Sequence, residues 1–381
     1  MSYEQIPITP EIITWSRVRA GISLHDAKQS FRNIEEWENG DSYPSYPQLE
    51  KLADKFKVPI AVFFFPEPPE TPEINESFRT LPDSEIDILP TKIRFLLRKA
   101  KAFQIGLSEL TNGRNPSQFQ IVKEYRLKNN ISIAKFVERI REALGFSFED
   151  QISWKNDDIA LKTFRESLSN AGIFVFKDAF QNGDYCGFCL YDKEFPLIYI
   201  NNSKPKTRQI FTLFHELAHL LFGTSGIDFL SDEFIDRIPD NERKIEIICN
   251  KFAGEFLVPD KQFNRYIDGL SANEAAAVEL ASVFNVSREV IYRKFLDREL
   301  ISVNEYKSKA EKWRKQARSS STESSSGNYY NTFFAYVDKP YLELAFSSYF
   351  QDKIDARQLA DYLNVSQKSL SKIEEKYLGG A

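Results

Sequence analysis

Two of the three histidines in this 381-residue chain stand four positions apart, as His215 and His219, and Glu216 directly follows the first. The spacing i, i+4 places both imidazoles on one face of a helix, where they can bind one zinc ion. Glu216 is rotated by about 100° around the helix and can reach a water on that ion. The pattern therefore predicts a zinc peptidase with Glu216 as general base; the alternative is a buried helix whose histidines are only hydrogen-bonded.

A catalytic zinc ion usually has three protein ligands and keeps a fourth position for water. The remaining histidine, His25, lies in a distant N-terminal segment, so we expect the third ligand to be a carboxylate after His219. Glu246 is favoured because it lies in a predicted apolar helix over 242–257, and a solvated helix glutamate is the alternative. Five other acids lie in a segment predicted to be a surface loop too loose to fix a metal: Asp228, Asp232, Glu233, Asp236 and Asp240.

Other polar residues could support this chemistry. Asn250 lies one helical turn after the favoured third ligand and could orient it or the backbone of the site, although an ordinary polar position fits equally well. In the expected mechanism, bound zinc acidifies water and polarises the peptide carbonyl, while Glu216 carries the proton to the leaving amine. A donor to the developing oxyanion is also expected, and the candidates are Tyr185, Tyr199 and Arg208.

The cysteines indicate no second metal or redox site. Cys186 and Cys189 have a suggestive spacing, but residues three apart in a regular strand face opposite sides, and no second pair completes a site. Small strand residues are the favoured interpretation. Together with Cys249 the chain has three cysteines, an odd number that is too small for a disulfide framework. This favours a reducing cytoplasm.

Composition favours a cytoplasmic globular protein. A hydrophobic content of 42% and 32 phenylalanines can bury a sizeable interior, and the length predicts two or three compact units. We expect no signal peptide and no membrane span, since neither pattern is visible. The net charge of −5 argues against a chain coated in nucleic acid. Residues 91–142 are basic and could contact phosphates or an acidic partner, but solvated helix faces are the favoured interpretation.

The pattern of apolar residues predicts a mostly helical α+β protein. A three-stranded sheet over 172–201, carrying the histidine-bearing helix 207–222, is the expected core. Two long amphipathic helices are expected over 88–112 and 116–145. The predicted regions are a small helical domain (1–69), a helical linker region (70–150), a peptidase domain (151–267), a helical region (268–318), a mobile Ser-rich loop (319–327) and a C-terminal helical domain (328–381).

Three segments resemble the ImmA/IrrE metallopeptidases: Gly187–Asn201, Thr207–His219 and Glu246–Pro259. The resemblance covers about 150–265 and implies a zincin-like peptidase domain. It also implies a protein substrate, such as a repressor or a toxin- or antitoxin-like partner, in stress, mobile-element or phage-related regulation.

On this resemblance, the zinc ligands are His215, His219 and Glu246, and the general base is Glu216. No cofactor besides zinc is implied.

Long members of the family carry an N-terminal Cro/repressor-like (XRE-type) helix-turn-helix domain, which residues 8–24, 37–40, 49–56 and 63–66 resemble. The usual Gly-Val-Ser-like start of the recognition helix is missing between Ser30 and Ile34. Residues 1–70 also contain seven basic and eleven acidic residues and so have a net negative charge, whereas a DNA-binding domain usually has a net positive charge. We therefore expect this domain to bind DNA weakly or not at all.

The favoured function is zinc-dependent cleavage of one regulatory protein. The rival is a DNA-binding regulator or antitoxin-like binding protein whose zinc site is structural, sensing or idle. A basic, intact recognition helix would favour the rival, and this sequence lacks one.

Overall fold

A computed structural model describes residues 5–56, 58–69, 89–128, 130–229, 240–320 and 328–379. The chain divides into two compact units, Met1–Lys99 and Ala100–Ala381. The described residues confirm the predicted mostly helical α+β fold. Three of the loop acids considered as ligands (Asp232, Glu233 and Asp236) and most of the predicted Ser-rich loop lie outside the described residues.

The N-terminal unit contains short helices around a small apolar core. Its elements are α1 (Pro10–Arg19), α2 (Leu24–Ser30), α3 (Ile34–Asn39), α4 (Tyr46–Phe56) and a 3₁₀ turn at Ile60–Phe64. Ser23 accepts a hydrogen bond from the backbone N–H of Asp26 at the start of α2, and Gly40 ends α3 with a φ of 80°. The helix that would follow the turn of a helix-turn-helix, α3, is only six residues long.

The remaining elements extend to the end of the chain. They are α5 (Thr91–Leu110), α6 (Ile121–Glu124), α7 (Ile133–Ala143), α8 (Phe148–Ser153), α9 (Asp157–Asn170), β1 (Phe174–Asp178), β2 (Tyr185–Leu190), β3 (Leu197–Asn201), α10 (Lys206–Phe222), β4 (Gly226–Phe229), α11 (Asp240–Leu257), α12 (Asp260–Ile267), α13 (Glu274–Phe284), α14 (Arg288–Asp297), α15 (Val303–Ser320), α16 (Tyr329–Tyr336), α17 (Lys339–Phe350), α18 (Ala356–Leu363) and α19 (Gln367–Leu378). Among the described residues, no helix has both the length and the apolar character needed to cross a membrane.

The sheet has four strands within the described residues, in the order β1-β3-β2-β4. β1 and β3 are parallel, whereas β2 pairs antiparallel with both β3 and β4. The prediction of three strands was therefore wrong. β4 was missed because it has only four residues and includes Gly226 and Asp228, which are both unfavourable in strands.

The two faces of the sheet bury different sets of residues. Ile198 and Ile200 of β3 join the core around α10. On the opposite face, Phe176 of β1 stacks on Phe103 with ring centroids 4.3 Å apart and meets Tyr341 of α17 at 5.5 Å. The sheet is therefore covered on both sides, with the histidine-bearing helix on one face and helices α5 and α17 on the other.

Two glycines let the sheet approach α10 unusually closely. A Cβ atom added to Gly226 of β4 would lie 2.7 Å from the ring of His219, and one added to Gly187 of β2 would overlap Cγ2 of Thr212. Real side chains do not tolerate such separations, so any larger residue must push the strand and the helix apart. The spacing of the sheet from the histidine-bearing helix thus depends on these two positions.

The long helix predicted over 116–145 is wrong. Only α6 and α7 form there, and the chain between them lies against α10, where the Leu127 N–H donates to the Leu221 carbonyl at 3.0 Å. Leu127 is buried at that point. Tertiary packing therefore outweighs the helical pattern of the segment. Arg141, counted as part of the basic stretch 91–142, is buried and donates to Gln151 and to the Phe256 carbonyl, so it is not a surface charge.

Phe214 holds α10 against its neighbours, and its removal should destabilise the unit Ala100–Ala381. Its ring lies 4.7 Å from Phe164 of α9 and 3.9 Å from Phe256 of α11. Phe214→Ala should lower the free energy of unfolding by about 3–5 kcal/mol, because it removes a fully buried ring and leaves a cavity. Urea unfolding of the full chain measures this loss. The control Phe350→Ala, on a ring that is 46% exposed, should cost less than about 1 kcal/mol; equal losses would contradict the assignment.

Candidate metal centre

Three side chains predicted as ligands meet between α10 and α11. His215 and His219 extend from adjacent turns of α10, and their Nε2 atoms are 3.2 Å apart. Glu246 of α11 places Oε2 at 3.3 Å from His215 Nε2 and Oε1 at 3.1 Å from His219 Nε2. Both histidines are buried and Glu246 is largely so. The structure therefore brings all three residues to one point, and within the described residues no other group of His, Cys, Asp or Glu converges in this way.

The separations of these three donors fit a small tetrahedral ion. Ligand atoms placed about 2.0–2.1 Å from a tetrahedral zinc ion lie about 3.3 Å from one another. The two Nε2 atoms are 3.2 Å apart, and each lies 3.3 or 3.1 Å from one of the two Glu246 oxygens. Two imidazoles and one carboxylate, with no fourth donor converging on them from the described residues, are typical of a catalytic rather than a structural zinc site.

Both imidazoles are oriented by a second contact. His215 Nδ1 lies 3.0 Å from the Asn250 amide oxygen, which can only accept, so Nδ1 carries the proton and Nε2 faces the cluster. Asn250 therefore contacts a histidine rather than Glu246. His219 Nδ1 lies 3.5 Å from Thr224 Oγ1, whose hydroxyl donates to the His219 carbonyl. Thr224 was not predicted; its only signal is its position directly after Gly223, where α10 ends.

Glu216 is the most isolated acid of the site. It is completely buried and faces the Cys189 thiol, a weak donor, while no N–H or O–H group donates to either carboxylate oxygen within the described parts of the chain. Burial raises the pKa of the Glu216 carboxyl well above its usual range; His215 opposes this rise, whereas the charges of Asp228 and Glu246 add to it. A buried carboxyl without a strong hydrogen-bond donor is costly, so its environment is suited to a proton acceptor and donor rather than to a structural contact.

The electrostatics of the three converging residues are strongly coupled. Burial disfavours a charged imidazole, but Asp228 and Glu246 outweigh it and raise the pKa of His215 to about 9. Burial likewise disfavours a charged Glu246, but the two histidines hold the pKa of its carboxyl well below the usual range. Without a metal, the cluster thus holds a proton at neutral pH. Metal binding must displace that proton, so metal affinity should fall as the pH is lowered.

Asp228 was predicted to lie in a loose loop, and this was wrong. It is 4% exposed within β4, where it accepts hydrogen bonds from Arg208 Nη2 and from Thr212 Oγ1, both at 2.7 Å. These contacts fix β4 to the first half of α10 and keep Asp228 away from a ligand role. Asp240 is also not in a loop, since it begins α11.

The three candidate oxyanion donors occupy different places. Tyr199 lies on the face of the sheet opposite α10, where it stacks on Phe188 at 5.1 Å, so it is too remote to serve. The Tyr185 ring lies against the Phe229 ring, with centroids 4.9 Å apart and planes tilted by 46°. Arg208 is held by Asp228 and by the Phe229 carbonyl.

Cys186 and Cys189 are free and buried, as the favoured interpretation required. The assumption that they face opposite sides was wrong. A β-bulge between Tyr185 and Gly187 brings Cys186 to 3.3 Å from Arg208 Nε, and Cys189 lies in the core beside α10.

Comparison with known proteins gives three similarities. Residues 168–296 match the family model described as the IrrE N-terminal-like domain, a peptidase family. Over 99 residues the chain is 36% identical to the radiation response metalloprotease IrrE of Deinococcus deserti; this match covers 26% of the chain and only 34% of that relative. A solved structure, a Mycobacterium tuberculosis transcriptional regulator, is similar over 51% of both chains, with 18% identity and a TM-score of 0.30, too low to support an argument.

The family match and the geometry fall on the same segment. Residues 168–296 contain β1 to β4, the histidine-bearing helix and Glu246. Residues 168–296 thus form a domain that matches the IrrE N-terminal-like peptidase family.

Proposed function

We propose that the chain is a zinc-dependent endopeptidase that cleaves a specific regulatory protein in the cytoplasm. Its zinc ligands are His215, His219 and Glu246, and its general base is Glu216. The partner is a repressor or a toxin- or antitoxin-like protein, and its cleavage changes transcription in a stress or mobile-element response. The match to a relative named a radiation response metalloprotease supports a regulatory role, although it spans about a third of that relative.

The observation that carries this proposal is the unsatisfied carboxylate of Glu216 beside three converging donors. A structural zinc site normally fills all four positions with protein ligands and has no use for a further acid. Here no fourth protein donor joins the three from the described part of the chain, and Glu216 lies one residue from His215. A structural or sensing site would gain nothing from a buried acid without partners, whose burial is costly.

Each residue has a separate task in the proposed reaction. When bound, zinc acidifies the attacking water and polarises the scissile carbonyl. Glu216 accepts the proton of that water and delivers it to the leaving amine, which its raised pKa favours. Asn250 and Thr224 hold the two imidazoles in the orientation that leaves both Nε2 atoms for the metal.

Chelation should remove a narrow proteolytic activity that zinc then restores. The zinc-loaded protein is incubated with a cytoplasmic extract of the source cells, and newly formed protein N-termini are identified by mass spectrometry. We expect new termini in one or a few proteins, their absence after chelation, and their return when equimolar zinc is added. New termini that persist after chelation, or none with zinc, would contradict the proposal.

A further inference from the structure

One stripe of α10 continues beyond the metal ligands. Arg208, Phe211, His215 and His219 are spaced by three, four and four residues, so they lie on the same face of the helix. The Phe211 ring lies 6.4 Å from the His215 ring, with 30° between their planes. The Arg208 guanidinium lies 5.1 Å from the centre of the Phe211 ring. The two residues thus extend the surface of the metal centre toward the start of α10.

Arg208 is rigidly held but uses only part of its hydrogen-bonding capacity. Nε faces Cys186 Sγ at 3.3 Å, and Nη2 donates to Asp228 at 2.7 Å and to the Phe229 carbonyl at 2.9 Å. An arginine has five N–H donors, and the two on Nη1 are not among the three that these contacts occupy. The side chain is 23% exposed and is therefore not sealed off from a ligand.

The charges around Arg208 indicate what kind of acceptor suits it. Asp228 is in direct contact with the guanidinium, and Glu289 of α14 also faces its charge. Because the positive charge is already compensated, a second carboxylate would gain little. A neutral acceptor, such as a main-chain carbonyl, fits the two Nη1 donors better. The adjacent Phe211 is half-buried and offers an apolar surface.

The distance along the stripe suits an extended peptide. Arg208 lies seven residues before His215, which is about 10 Å along the helix axis. An extended chain covers this distance in about three residues. Strand β4 follows the same path, since Gly226 lies against His219 and the Phe229 carbonyl meets Arg208.

We propose that Phe211 and Arg208 form a substrate subsite, in which Phe211 packs against an apolar side chain near the scissile bond and Arg208 Nη1 donates to a substrate main-chain carbonyl about three residues away. This subsite rests on the proposed peptidase function. It predicts a preference for apolar rather than acidic residues on one side of the cleaved bond. The preference comes from residues that touch neither the metal nor the reacting atoms.

Hydroxamates test the subsite without requiring turnover, because they bind zinc directly. Acetohydroxamate is compared with two series of leucine-containing tripeptide hydroxamates, in which the peptide extends from either side of the metal-binding group. Affinities for the zinc-loaded full chain are measured by calorimetry. One series should bind about tenfold tighter than acetohydroxamate, because roughly two buried methylene groups supply that gain. Matched peptides with aspartate in place of leucine should lose it.

Three variants locate the effect. Phe211→Ala removes the apolar surface, and Arg208→Lys keeps a positive charge beside Asp228 but loses the Nη1 donors. Relative to each variant's own affinity for acetohydroxamate, the gain from the peptide should be lost in both, whereas Phe350→Ala, on an exposed ring of α17, should keep it. A gain that survives in either subsite variant, or no gain in either series, overturns the subsite. If acetohydroxamate itself fails to bind the zinc-loaded wild type, the metal centre is wrong instead.

Discussion

Glu216→Gln should abolish cleavage of the partner while leaving the fold and the bound zinc intact. Glutamine has the size of glutamate, so the buried position is filled, but it cannot accept the proton of the attacking water. General-base catalysis typically contributes a factor of about 10²–10⁴, and the rate of cleavage should fall by this amount. The rate is measured on the natural partner once its new terminus is known, with zinc content determined on the same preparations.

The matched control is Glu343→Gln, which makes the same chemical change at an exposed position of α17. It should cleave at the wild-type rate. A binding-only protein gives a different result, because Glu216→Gln would then leave cellular function unchanged. If this substitution is silent in cells while deletion of the gene is not, the peptidase function should be abandoned.

His219→Ala should remove zinc from the purified protein. The substitution removes one of three donors and leaves His215 and Glu246, and two protein ligands are too few to retain zinc. Elemental analysis should find one zinc per chain in the wild type and none in the variant after dialysis. His25→Ala, at an exposed position of the N-terminal unit, is the matched control and should keep its zinc. Stoichiometric zinc in His219→Ala would show that the proposed ligand set is wrong.

The two features most easily predicted, the histidine-bearing helix and the position of Glu246, depend on the sequence pattern of their own segments. The i, i+4 histidines predicted a buried helix with both rings on one face, and α10 begins within one residue of the predicted start. Glu246 was predicted from its place in an apolar helix, and it does reach the histidines. Its role as a zinc ligand is part of the proposal.

Features that depend on contacts distant in sequence were missed. The charge on Asp228 is stabilised only because Arg208 and Thr212 of α10 lie opposite it, and nothing in its own segment indicates this. The prediction that Cys186 and Cys189 face opposite sides of the sheet was wrong for a similar reason, because a β-bulge depends on the neighbouring strand. The prediction of one long helix over 116–145 was wrong because the chain between α6 and α7 hydrogen-bonds to α10 instead of to its own neighbours.

The close approach of Gly226 to the His219 ring affects how genetic data on this protein should be interpreted. A screen for inactive mutants would recover substitutions at positions 226 and 187, although neither residue has a side chain or any part in the reaction. Such mutants would lose activity because the strand displaces the helix and the donors no longer converge. Gly226 and Gly187 would therefore be mistaken for catalytic residues unless the metal content of each mutant is measured together with its activity. Loss of function at these positions reflects the distance between the strand and the helix, and it does not identify a catalytic side chain.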